Sequence, residues 1–369
     1  MSRFIQLHLL TSYPPANMNR DDLGSPKTVK MGGYDRLRVS SQCLKRTWRT
    51  SETFQEAMNG HIGTRTKEMG HKIYDRLRNK GVKHDDAIAW TKSIAGLFGK
   101  LKEHSKKEKD ALKKLSSDER EKKETEELEI EQLAFFDAEE EKNIFALADK
   151  IAERNGEPTK EELDLLRKKM TSVDISMFGR MLASYPAYNV EAACQVAHSF
   201  SVHPIVIEDD YFTAVDDLNT GQEDLGAAHI GETRFAAGLF YSYICINREL
   251  LIENLNGDKA LANKAIRALT EAAVKVSPAG KQNSFASRAY ASYVLAEKGA
   301  QQPRSLSAAF LKPINHREHE DFINDSINAL TTQKDCFDQV YGACAEAQYD
   351  INVPEKKGTL AKLLDFVSQ

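Results

Sequence analysis

The chain lacks any long apolar run. Across 369 residues, nothing approaches the ~18 apolar positions of a membrane-spanning helix. A secretory pattern is missing as well. Gln6 and His8 interrupt the apolar part of MSRFIQLHLLTSYPP, and no small-residue cleavage site follows. Cysteine is scarce, with Cys43, Cys194, Cys245, Cys336 and Cys344 forming an odd set that contains no C-x-x-C pair. Free, buried thiols in a reducing compartment are therefore expected, and a cytoplasmic location with them. Net charge is low too, at -4, so the chain as a whole is not a polycation. What is present is a hydrophobic fraction of 41%. That supports a real core in two domains, or in one domain with a large insertion.

Against this mildly acidic background stands one basic island, Asn19 to Arg49, NRDDLGSPKTVKMGGYDRLRVSSQCLKRTWR. It holds eight Lys/Arg (Arg20, Lys27, Lys30, Arg36, Arg38, Lys45, Arg46, Arg49) against three Asp. Such an island points to a polyanionic partner. Gly32-Gly33 is read as a place where backbone approaches a ligand closely. A short strand follows, with Leu37 and Val39 on one face and Arg36, Arg38 and Ser40 on the other. Ser40 or Ser41 then caps a helix, on which Leu44 and Trp48 mark the buried stripe and Lys45 and Arg49 share a neighbouring face. A glycine loop, a strand edge and a helix N-terminus converging with cations suit phosphate binding.

Elsewhere the pattern is read segment by segment. Arg3 to Leu10 alternates as a strand. Gly60 to Met170 reads as a helical insertion, because about two thirds of Lys100 to Glu131 is charged with both signs interleaved. Val173 to Phe178, Ala193 to His203, Phe235 to Ile246 and Phe285 to Leu295 read as strands. Asp258 to Val276 reads as a helix, and Asp321 to Tyr341 as a terminal one. His203 to Arg234 reads as a long loop, a length that usually serves function. With the insertion and the loop removed, the order strand, helix, strands, helix, strand predicts an α+β class of the ferredoxin-like or RRM-like kind. Folds of this type often present a sheet to single-stranded RNA.

Four segments resemble the CasC family, the backbone subunits of the type I-E CRISPR surveillance complex called Cascade. They are NRDD with MGGYDRLRVSSQCLKRTWR (Asn19 to Asp22, Met31 to Arg49), VDISMFGRM (Val173 to Met181), YFTAVDDL with GAAHIGETRFAAGLFY (Tyr211 to Leu218, Gly226 to Tyr241), and PAGKQN (Pro278 to Asn283). The family's order in the last is Gly-Ala-Lys-Gln; here it is Ala279-Gly280-Lys281-Gln282. The resemblance implies a right hand: an RRM-like palm (1–59 and 171–369), helical fingers (60–170) and a thumb (203–234). It implies crRNA-backbone contacts by Arg20, Lys27, Arg38, Ser40, Gln42, Lys45 and Arg49, with Lys281, and with Arg46 of the same window beside them. Met181 would pack on a displaced base, and Tyr211, Phe212, Thr213 and Val215 would belong to the thumb. The partners implied are crRNA, the target DNA strand paired to it, further copies of the chain in an open helical filament, other Cascade subunits, and a recruited nuclease-helicase. No membrane and no cofactor are implied.

Two rival readings have weaker footing. His316-x-x-His319, with Glu318 and Glu320 nearby, has metal-ligand spacing but no third ligand. Asp22 or Asp35 could serve an RNA endonuclease of the type III backbone kind. An acidic residue beside Arg and Lys is more often their ion-pair partner, so a non-catalytic role is expected.

Overall fold

The computed structural model describes residues 2–105, 107–108, 111, 115–214, 229–314 and 321–369. The fold is α+β, with a mostly antiparallel sheet and helices. The chain divides into two compact units. One comprises residues 1–57, 194–249 and 263–369, and the other residues 58–193 and 250–262.

The first unit is built on the sheet. Its strands are β1 (Phe4–Ala16), β2 (Thr28–Met31), β3 (Tyr34–Val39), β6 (Cys194–Val196), β7 (Ser199–Ser201), β8 (Glu208–Ala214), β9 (His229–Asn247), β10 (Ala291–Gly299) and β11 (Ala347–Asn352). The order is β11-β10-β1-β9-β7-β3-β2, and β6 and β8 also pair with β9. Every pairing is antiparallel. β1 lies between β9 and β10 and is buried on both faces. Alternation alone would leave Gln6 and His8 wet, yet both are buried. A buried carboxylate meets that polarity: His8 Nε2 donates to Glu297 Oε2 at 3.2 Å, and Arg304 grips both Glu297 oxygens at 2.5 and 3.0 Å. On the same face Leu10, Phe200, Tyr241, Leu295, Phe310 and Leu330 form the apolar core, which the Phe322–Tyr341 helix helps to close.

The second unit is mainly helical. Met69, Ile73, Leu77, Trp90, Ile94, Phe136, Ile144 and Ile151 form its core, beside a two-stranded sheet of β4 (Thr64–Thr66) and β5 (Ala134–Phe136). Asp137 caps the Ala138–Arg154 helix in a capping box with Glu140. It also accepts from the backbone N–H groups of Thr171 and Ser172 at 2.8 and 2.7 Å.

Several expectations need correcting. Val173–Phe178 is a helix, not a strand; six residues, four of them apolar, are too short a run for periodicity to separate the two, and Asp174 is pinned inside by Gly63 N–H at 2.8 Å. The Ala193 to His203 strand is two short pieces, because the ladder breaks at Ala197 and His198. Phe285 closes a short Gln282–Phe285 helix, and the strand begins only at Ala291. The Phe322–Tyr341 helix is not terminal, since β11 and a Leu360–Ser368 helix follow. His203 to Arg234 is not a plain loop: β8 pairs with the start of β9 as a hairpin, Phe212 opposite Gly231. Of the cysteines, Cys194, Cys245 and Cys344 are buried, Cys43 is half-buried and Cys336 is exposed; all are free thiols.

Candidate nucleic-acid interface

The basic window folds into the β2–β3 hairpin and the helix after it. Gly32 and Gly33 form the hairpin turn with φ of +61° and +85°, the left-handed pair that tight hairpins require. A Cβ on Gly32 would lie 1.9 Å from the Leu311 carbonyl oxygen. The close approach expected of a ligand is therefore made by the chain's own backbone. Arg36 also departs from expectation. It is 0% exposed and donates to the carbonyls of Ser201 and Phe310 at 3.0 and 2.9 Å. It is a buried brace, and the window offers one surface cation fewer than its sequence suggests.

The remaining groups are held by a compact set of bonds. Asn19 accepts the Ser40 N–H on its side chain at 2.9 Å and the Lys27 N–H on its carbonyl at 2.8 Å. The Lys27 carbonyl in turn accepts from Arg38 N–H at 2.8 Å. The Asn19–Lys27 loop is thus laced to β3 and to the start of the Ser41–Arg49 helix. Ser40 caps that helix by accepting from Cys43 N–H at 3.3 Å, and no acidic side chain occupies the first turn. Leu44 and Trp48 are buried as expected. Gln42 and Arg46 are exposed, while Lys45 and Arg49 are half-buried. Arg38 donates to the Thr28 carbonyl at 3.2 Å and to His198 Nδ1 at 3.0 Å. Desolvation first, then the Arg38 and Lys27 charges, hold the His198 imidazole below its ordinary pKa, so it serves as a neutral acceptor. His198 was read as part of an alternating strand. It lies at the break in that strand, where it meets Arg38.

A cleft of about 540 Å³ lies beside this set, lined by Arg20, Leu23, Glu232, Thr233, Arg234 and Lys281 among others. It brings together Arg20 and Lys281, which are far apart in sequence. Gly280 makes this possible: a Cβ there would sit 2.1 Å from the Met18 carbonyl oxygen. Lys281 follows in the left-handed region, φ +49°, and its Nζ donates to Thr233 Oγ1 at 2.5 Å. Arg234 was not singled out from the sequence. The signal was available, because Glu232 and Arg234 alternate on one face of a strand that ends one of the motifs.

The other residues fall as follows. Met181 is 74% exposed, next to Gly179 at φ +83° and to Arg180, whose buried guanidinium meets Glu140 at 2.6 Å. It belongs to the second unit. Tyr211, Phe212 and Thr213 lie on β8. Tyr211 is 66% exposed and Phe212 43%, and the Phe212 ring fills the space over Gly231. Val215, His316, Glu318, His319 and Glu320 lie outside the described residues. Asp21 accepts from the Leu23 and Ser25 N–H groups at 3.0 and 2.9 Å, which makes it a turn former. Asp22 and Asp35 are exposed. Among the described residues no cluster of His, Cys, Asp and Glu could hold a metal ion, and no helix is long and apolar enough to cross a membrane.

A model of the CT1975-like protein family matches residues 5–364. The chain belongs to that family. The resemblance to CasC backbone subunits read from the motifs is upheld with it. Among solved structures, a chain of a "CRISPR RNA-guided surveillance complex, pre-nicking" is 27% identical, with 99% of each chain covered and a TM-score of 0.82. A chain of a "CRISPR RNA-guided surveillance complex", 24% identical and again covered to 99% on both sides, superposes with a TM-score of 0.71 and shares the fold. No curated protein matches.

Proposed function

We propose that this family member is a non-catalytic backbone subunit of a type I-E Cascade complex, gripping crRNA by its phosphates and leaving base edges available to the target DNA strand. The observation that carries the reading is the end-to-end likeness, over 99% of both chains, to a chain of an RNA-guided surveillance complex. The basic window supports it: a helix N-terminus without acidic residues beside Arg20, Lys27, Arg38, Ser40, Gln42, Lys45, Arg46, Arg49 and Lys281 suits an RNA backbone. The sheet supports an RRM-like palm. β10-β1-β9-β7 is the order 4-1-3-2 of a split βαβ fold, with the Ser41–Arg49 helix after the first strand and the Lys259–Lys275 helix before the last. The β8–β9 hairpin is the thumb, and the second unit supplies the fingers and Met181.

In this reading specificity rests on base pairing, and the protein holds geometry. Head-to-tail contacts between copies form an open helix because the interface is heterologous. Other Cascade subunits complete the particle, and a recruited nuclease-helicase cuts the target. The test is to purify the chain with its partner subunits and examine the nucleic acid it carries, then incubate the complex with labelled target RNA and DNA and Mg²⁺. A defined RNA of repeat-plus-spacer length, bound without cleavage, is expected. An RNA-free particle overturns the reading. Cleavage lost in Asp35→Ala or Asp22→Ala replaces it with the endonuclease reading.

A further inference from the structure

We propose that Arg234 forms the third side of a backbone-phosphate site with Arg20 and Lys281, and that Asp209 occupies its guanidinium until RNA phosphate displaces it. This rests on the crRNA reading above.

Among the described residues the three cations line one cleft with a single lining carboxylate, Glu232. Arg234 is the best placed of them to couple the cleft to the rest of the interface. Its Nη1 donates to Ser25 Oγ at 3.0 Å, in the turn that Asp21 folds. Its Nε donates at 2.9 Å to Asp209, directly across the β8–β9 ladder. Nη2 comes no closer than 4.0 Å to Glu232. A guanidinium has five N–H donors, so most of its capacity is left for a phosphodiester arriving in the cleft.

Competition favours the phosphate. The Arg234 and Asp209 side chains are 47% and 58% exposed, and an exposed ion pair of this kind contributes little. Phosphate offers the bidentate geometry for which arginine is suited, with two further cations converging on it. Arg20 has one long side-chain bond, 3.4 Å to the Asn17 carbonyl. Lys281 is held in a left-handed conformation, a backbone strain that tends to collect at ligand clamps. Asp209 therefore acts as a resident competitor, and the stem of the hairpin senses whether the cleft is filled.

The two halves of one ion pair should then shift binding in opposite directions. Titrate full-length protein into a labelled, unstructured single-stranded RNA by fluorescence anisotropy, over a salt series. Arg234→Gln should weaken binding about tenfold at low salt and reduce the log–log salt slope by about 0.7, one phosphate contact of a single strand. Asp209→Asn should tighten binding, and the double variant should behave as Arg234→Gln. Arg234→Lys should restore the slope, which separates lost charge from lost folding. If Arg234 and Asp209 only brace the hairpin, both single variants weaken binding alike with the slope unchanged, and the proposal is overturned. Arg20→Ala and Lys281→Ala separate the two levels of the argument. If neither alters binding, the crRNA reading of this cleft fails. If both weaken it while Arg234→Gln does not, only the role of Arg234 falls.

Discussion

Replacing Glu297 by glutamine should destabilise the sheet by about 3 kcal/mol at neutral pH and remove much of its sensitivity to acid. The side chain is fully buried. It accepts from Arg304 at 2.5 and 3.0 Å and from His8 at 3.2 Å. Burial alone would raise its pKa, but the hydrogen bonds from His8 and Arg304 and the Arg304 charge outweigh burial and hold it at about 2, against an ordinary 4.5. That gap of about 2.5 units, at about 1.36 kcal/mol each, gives about 3 kcal/mol. A second route agrees: breaking a buried ion pair by neutralising one partner costs about 3–5 kcal/mol. The direction with pH follows from the lowered folded pKa. The unfolded chain binds the proton first, so the stabilisation is present above pH 4.5 and is lost as pH falls toward 2. His8 adds to the same trend. Desolvation keeps it neutral below its ordinary 6.5, so its contribution is lost as pH falls below 6.5. In that neutral state Nε2 donates to Glu297, and Nδ1 accepts from the Tyr241 hydroxyl at 2.9 Å. Urea unfolding of wild type and Glu297→Gln between pH 3 and 7 reads both effects. A loss under about 1 kcal/mol at pH 7, or an equal acid slope in the two proteins, would refute the reasoning.

Two further outcomes concern nucleic acid. Lys45→Ala with Arg49→Ala should weaken binding to two unrelated guide RNAs equally and flatten the log–log salt slope by about 1.4, two phosphate contacts of a single strand; an unchanged slope, or a loss confined to one guide, argues against a phosphate grip. If the β8–β9 hairpin wedges between bases, a target mismatch scan should show tolerance at regular intervals, and replacing Tyr211 to Asp217 by a Gly-Ser linker should erase it. No periodicity in the wild type, or its survival in the linker variant, removes the hairpin from that role.

The sequence by itself determined what depends on short stretches of chain. Period-two alternation located β1, the apolar and aromatic run 235–246 located most of β9, and the apolar marks Leu261, Ile266 and Leu269 located the Lys259–Lys275 helix. The residues Ser40, Leu44 and Trp48 declared a capped helix with one buried stripe. Motif identity pointed to the family, because it rests on residue order rather than on packing. Tertiary structure decided whatever depends on segments distant in sequence. Arg36 reads as a surface cation until Ser201 and Phe310, 165 and 274 residues away, take its guanidinium. Gly32 reads as a ligand contact until Leu311 fills the space. Val173–Phe178 has a strand's composition, but a buried Asp174 bound to Gly63 fixes it as a helix. Arg20, Arg234 and Lys281 share a cleft only because the sheet folds three separate segments together. A local pattern records which face of its own element is apolar. It carries no record of what other segment will cover that face, and burial, charge pairing and cleft formation are set by that covering.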